Sequence, residues 1–236
     1  MSGILYLIPT VIADNTQPTQ LPAAAIEAVR NTRYFLSENV RTARRFVSSL
    51  KVHESIEALS FEVLNKDTRP EHIGGLMTPA RQGHAMGVIS ESGCPGIADP
   101  GALAVAYAHA HHIRVVPITG PSSILLALMA SGFNGQQFAF HGYLPIDAKN
   151  ASVVIRELER ESQQRQQTQI FIETPYRNDA LLSHLLRVLR DDTQLCIAVN
   201  LTSPEETIIS KTVIQWKKES LTIGKTPAVF LLLAAG

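Results

Sequence analysis

The chain has 236 residues, 45% hydrophobic and 18% charged, and its 21 Lys plus Arg are balanced by 21 Asp plus Glu. That size can bury a core without staples, and the composition excludes a disordered or fibrous chain. A formal net charge of zero excludes a general electrostatic pull towards nucleic acid, so any RNA contact must come from a local patch.

Read in chain order, Ile4 to Ile8 is an apolar run ending at Pro9, suited to a strand buried on both faces. The nine residues Met1 to Pro9 lack the basic region and the full-length apolar region expected of a signal peptide. Pro22 is expected to open a helix whose apolar stripe is Ala23, Ile26 and Val29. A short strand follows at Tyr34 to Leu36, then a helix from Val40 to Leu50 with Arg41, Arg44 and Arg45 turned largely outward. Residues 53 to 68 carry no clear period, and Pro70 to Gln82 reads as a helix disturbed at Pro79. Met86 to Ser90 is a strand, Ala102 to His112 a helix, Ile113 to Ile118 another buried strand, and Ile124 to Ala130 an apolar helix. This alternation predicts parallel pairing through βαβ crossovers.

Beyond Ile118 the texture changes. Gln137 to Tyr143 reads as a strand, and Ala151 to Gln167 as a long polar helix with Glu157, Glu159, Arg160 and Glu161 on a solvated face. Gln169 to Glu173 is a strand and Asn178 to Leu189 a helix; Leu195 to Asn200, Glu206 to Ile214 and Ala228 to Leu233 are further strands. The last run, Ala228 to Ala235, is far too short to span a membrane. Two domains are expected, residues 1–118 with a mostly parallel α/β sheet and residues 119–236 with a mixed α/β sheet. Two cysteines, Cys94 and Cys196, with neither zinc spacing nor a disulfide framework, point to a reducing, cytosolic compartment and to no bound metal.

Four segments concentrate chemistry. Ser90 to Gly101 places Glu91, Ser92 and Asp99 among Gly93, Gly96, Gly101, Pro95 and Pro100, the composition of a stiff loop that lets backbone approach a ligand. Thr119-Gly120-Pro121-Ser122-Ser123 opens a helix, where amides and hydroxyls can hold a carboxylate. Glu38 precedes the arginine-bearing helix, which forms the one basic concentration and also reads as an ordinary charged face. Glu173-Thr174-Pro175-Tyr176-Arg177 links a strand to a helix, where Glu173 and Arg177 can pair with each other or face a substrate. His141 follows near a strand and is a further acid–base candidate.

Ser90 to Gly101, Gly120 to Ser123, Ser131-Gly132-Phe133, Phe138 to Pro145 and Glu173 to Arg177 come in the order and spacing of the tetrapyrrole-methylase superfamily. The chain most resembles the branch that 2′-O-methylates ribose in small-subunit ribosomal RNA. The resemblance implies an S-adenosylmethionine-dependent methyltransferase, a homodimer of two-domain α/β chains with the cofactor in the cleft between the domains, and RNA as partner. It implies a cofactor cradle of Ser92, Gly93, Ile97, Ala98, Asp99, Gly120, Pro121, Ser122 and Ser123, with Thr226, Pro227 and Ala228 lining the adenosine. Glu38, Glu91 and Glu173 are the candidates for the base that acts on a ribose hydroxyl, and Arg41, Arg44, Arg45 and Arg177 the candidates for holding substrate phosphates.

The chain departs from that branch in places. Its opening loop reads Pro9-Thr10-Val11-Ile12-Ala13-Asp14, without the branch's glycine, and the branch's Glu-Asp-Thr-Arg stands here as Glu38-Asn39-Val40-Arg41. The longer enzymes' C-terminal extension has no counterpart after the last strand. A methylase of a tetrapyrrole or other small metabolite, and a cofactor-binding paralogue without catalysis, are the alternative readings.

Overall fold

A computed structural model describes residues 3–236, which form two compact units meeting in sequence at Ser122 and Ser123. The division falls after Ser122 rather than after Ile118 because Gly120 and Pro121 pack on loops of the first unit: a Cβ on Gly120 would lie 2.2 Å from Pro9 Cβ.

In the first unit the elements are β1 (Ile4–Ile8), α1 (Gln17–Gln20), α2 (Ala23–Arg30), β2 (Tyr34–Ser37), α3 (Val40–Ser49), β3 (Ser60–Val63), a 3₁₀ turn (Pro70–His72), α4 (Ile73–Leu76), α5 (Thr78–Arg81), β4 (Ala85–Ile89), α6 (Gly101–Ala110) and β5 (Arg114–Pro117). The strand order is β3-β2-β4-β1-β5, every pair parallel. Side chains alternate between two cores, as a pleated strand requires. Leu5, Leu36, Met86 and Val88 enter a core shared with Ile73, Met77 and Ala104. Ile8, Phe35 and Ile89 enter one shared with Val29, Phe46 and Val47. Both faces of the central strands are therefore covered, which accounts for their continuous apolar runs.

Several expectations need correction here. The helix expected over 70–82 is three short pieces, and Pro79 stands in the first turn of α5, where its missing N–H costs nothing. Pro22 caps α2 from outside it. The stretch without a period contains β3. The strand expected to be buried at 113–118 is the edge β5, with Arg114 and Pro117 exposed.

The second unit comprises α7 (Ser123–Ser131), β6 (Phe138–Tyr143), α8 (Ala148–Arg165), β7 (Thr168–Glu173), a 3₁₀ turn (Pro175–Arg177), α9 (Asn178–Val188), β8 (Gln194–Val199), β9 (Thr207–Thr212), α10 (Val213–Trp216) and β10 (Ala228–Leu233). The order is β6-β7-β10-β8-β9. Only the β6–β7 pair is parallel within this sheet. Its core joins Phe171, Phe230 and Leu195 of the sheet to Ile155, Leu158, Leu182 and Leu185 of α8 and α9. Trp216 is buried there, and its indole N–H donates to Leu195 O at 2.8 Å.

Two boundaries differ from expectation for local reasons. Asp147 caps α8 by accepting from Asn150 N at 2.9 Å, so the helix begins three residues before Ala151. The expected strand over 206–214 stops at Thr212, whose amide donates to the Gln215 side chain and starts α10. Glu159 is not solvated: it is buried, and its Oε1 accepts from Thr193 Oγ1 at 2.5 Å and from Arg190 N at 2.9 Å. Among the described residues no helix is long and apolar enough to cross a membrane.

Candidate active site

The register of the parallel sheet sets where chemistry can gather. Ile8 and Ser37 both stand opposite Ile89, and Leu7 stands opposite Pro117. The chain therefore leaves β1, β2, β4 and β5 at one edge, the carboxyl ends at which open α/β sheets hold ligands. The loops 9–16, 38–39, 90–100 and 118–122 all start there.

Three of these loops are tied together. Thr10 N donates to Gly93 O at 2.9 Å, and Thr10 Oγ1 donates to Ser90 O at 3.3 Å. Gly93 has φ +74, and a Cβ there would sit 3.0 Å from Pro121 O. Both its conformation and its proximity to the next loop therefore call for glycine. The Cys94 thiol donates to Pro121 O at 3.3 Å, and burial followed by the Asp99 charge pushes that thiol's pKa up. Asp99 ties the loop to itself, its Oδ1 accepting from Gly96 N at 2.6 Å and Gly101 N at 2.8 Å. Between these ties the loop is open to a ligand. Ile97 is 51% exposed, nothing stands before the α-carbon of Gly96, and Ala98 holds the left-handed φ of +60. A non-glycine residue in that region stores strain that the surrounding ties must hold.

Acidic groups converge on this edge. The Glu38 carboxyl is raised above its ordinary value by partial burial, then by the negative charges of Asp99 and Glu91. These are the effects that move a carboxylic acid towards service as a proton acceptor near neutrality. Asn39, next in sequence, caps α3 through its side-chain oxygen, which accepts from Arg41 N at 3.0 Å and Thr42 N at 3.3 Å. Asn caps a helix as well as Asp does, so the Asn39 departure leaves the local structure intact. Arg41 and Arg45 are exposed and, among the described residues, carry no ion pair. Arg44 differs from both, because its guanidinium lies over the Phe61 ring, 5.6 Å from the centroid, which commits it to packing.

The remaining expected residues lie in the second unit. Ser123 is the first residue of α7. Glu173, at the end of β7, stands opposite Ala228 at the start of β10. Its side chain is 1% exposed, its Oε2 lies 3.0 Å from Arg177 Nη2, and its Oε1 accepts from Thr174 N at 2.7 Å. The pairing alternative is thus the one realised between Glu173 and Arg177. The Thr226 hydroxyl donates to Ile223 O at 2.7 Å, and Pro227 O accepts from Asn200 N at 3.0 Å. His141 Nε2 is 2.6 Å from Gln169 Oε1.

Three contributors were not legible as site residues. Thr10 and Cys94 look unremarkable until the register brings their loops together. Asn178, fully buried, donates through Nδ2 to Thr226 O at 2.7 Å and holds the 224–228 segment in place. Its position directly after Glu173 to Arg177 was the available signal.

A ligand at the first unit's edge would meet backbone, an exposed isoleucine and carboxylates. This suits a molecule with an apolar part and a cationic centre, such as a sulfonium, better than a phosphate. Among the described residues no group of three or more His, Cys, Asp or Glu could hold a metal ion.

Comparison with known proteins narrows the class. The sequence model of the tetrapyrrole (corrin/porphyrin) methylases matches residues 16–215. A "Ribosomal RNA small subunit methyltransferase I" of Micromonospora olivasterospora is 32% identical over 205 residues, which cover 87% of this chain and 61% of that protein. The protein of the same name from Escherichia coli O157:H7 is 29% identical over 220 residues, 92% of this chain and 73% of its own. Among solved structures, the methyltransferase CobJ aligns with a TM-score of 0.65 at 15% identity, over 100% of this chain and 95% of that one, which shows a shared fold.

Proposed function

The chain belongs to the tetrapyrrole (corrin/porphyrin) methylase family, and on that premise we propose that it is an S-adenosylmethionine-dependent methyltransferase that 2′-O-methylates ribose in small-subunit ribosomal RNA. The names of its relatives support the substrate class. The observation that carries the chemistry is the Glu38 carboxyl, raised in the company of Asp99 and Glu91 at the carboxyl edge of the parallel sheet.

When bound, the cofactor supplies an electrophilic methyl group on a sulfonium whose departure leaves a neutral thioether. The loop of Ser92, Gly93, Ile97, Ala98 and Asp99, with Gly120, Pro121 and Ser122, offers backbone and apolar contacts from the first unit. Ser123, Thr226, Pro227 and Ala228 are the proposed contacts from the second. The carboxylate group favours a positive ligand over its neutral product by simple Coulomb attraction, which helps product leave. Positioning of acceptor against methyl can contribute up to about 7–11 kcal/mol.

A ribose hydroxyl must also lose its proton, and Glu38 is the proposed acceptor, with Glu91 beside it. Glu173 is occupied by Arg177 and the Thr174 amide, which fits a structural duty. Arg41 and Arg45 are proposed to hold substrate phosphates. A homodimer and a cytoplasmic setting complete the proposal.

The test is incubation with methyl-labelled cofactor and, in parallel, small ribosomal subunits, protein-free RNA and a porphyrinogen. Label in the ribose of small-subunit RNA is the expected result. Label in the porphyrinogen alone, or in nothing despite cofactor binding, overturns it.

A further inference from the structure

Beside the candidate cofactor loop, and inside the first unit, lies a cavity of about 350 Å³ between the loop after β1 and helix α3. Its volume falls in the range of small-molecule sites. Ile89 and Phe46 give it apolar surface, Asn15 lines it from the loop after β1 and Gln17 from the start of α1, Thr42, Arg45 and Ser49 from α3, and Glu91 from the loop after β4.

The lining chooses among ligands. Asn15 and Gln17 each offer a donor and an acceptor from one amide, which is what the edge of a nucleobase requires. Asp14 and Glu91 also line the cavity, and two carboxylates oppose a bare phosphate or a polycarboxylated tetrapyrrole. Arg45, without an ion pair among the described residues, can meet one phosphate from the cavity's side. We propose that this cavity receives a single unstacked nucleotide of the substrate strand, its base in the cavity, its phosphate on Arg45 and its ribose towards Glu91. Single-stranded RNA is commonly read this way, base by splayed base. The inference rests on the proposed RNA substrate and extends it by naming the acceptor's seat.

The experiment titrates the four nucleoside 5′-monophosphates into the full chain, followed by NMR, and compares Thr42→Phe and Ser49→Phe, which project bulk into the cavity from α3. Gln17→Ala, on the opposite wall, keeps the test open should the bulky variants fail to fold. At least one monophosphate is expected to bind the unaltered chain and to bind each variant at least about tenfold more weakly, with S-adenosylmethionine affinity unchanged. Three results overturn the proposal: no monophosphate binds, the variants bind it as the unaltered chain does, or S-adenosylhomocysteine displaces it competitively. If ribosomal RNA is methylated and the variants keep full kcat/KM, the cavity assignment falls and the substrate reading stands. If no RNA is methylated yet the variants lose nucleotide binding, the cavity stands and the substrate reading falls.

Discussion

The two units handle charge in opposite ways. At the edge of the first, the Glu38 carboxyl faces the negative charges of Asp99 and Glu91, while exposed Arg41 and Arg45 lack ion pairs among the described residues. In the second, Glu173 is bound by Arg177 and a backbone amide, Asn178 holds Thr226, and Asp179 Oδ1 accepts from Ile223 N at 2.7 Å. Polar groups paired in this way hold a segment in one shape. Groups held in mutual conflict store a free-energy cost that a ligand or a proton can relieve. The first arrangement suits chemistry and the second suits positioning.

Glu38→Gln tests the conflict most severely. A neutral amide cannot take a proton, so kcat is expected to fall by about 10²–10⁴, and the acid limb of the pH–rate profile should disappear. The same variant should be more stable than the parent at neutral pH. Because the folded-state pKa of Glu38 is raised, the unfolded chain ionises first as pH rises. Folded stability is then lost between the ordinary carboxylate value of 4.5 and the raised one. Thermal melts should show the gain from Glu38→Gln at pH 7 and none well below pH 4.5. A parent and variant with identical melts at both would separate Glu38 from the cluster.

Arg177→Met strikes the paired region. It leaves the Glu173 carboxylate buried without its cation, and a cost of about 1–3 kcal/mol is expected, below that of a fully buried pair because Arg177 is partly exposed to water. Urea denaturation reads it, and adding Glu173→Gln should return most of the loss. If Arg177→Met instead leaves stability unchanged and abolishes RNA binding, Arg177 belongs with the substrate groups.

Arg41→Ala with Arg45→Ala should have the smallest effect on the protein itself. Stability should stay within about 0.5 kcal/mol. The slope of log RNA affinity against log salt should shrink by up to about two units if each arginine meets one phosphate. An unaltered slope removes both from the substrate path.

The continuous apolar runs Ile4 to Ile8 and Met86 to Ile89, and the glycines and prolines of 90–101, were readable because they follow from short-range stereochemistry. A doubly covered strand needs unbroken apolar residues, and a sharp loop needs unusual backbone. The resemblance to the methylases followed from the same loops. What the residues alone left open was which charges meet. Glu38 lies dozens of positions before Glu91 and Asp99, and the pairing of β2 with β4 is what draws its loop to theirs at one edge. The three glutamates proposed as bases looked equivalent in sequence. Tertiary structure gave them different surroundings, Glu38 beside the charges of Asp99 and Glu91 and Glu173 buried against Arg177, because burial and neighbouring charge are not properties of a residue or its immediate neighbours along the chain.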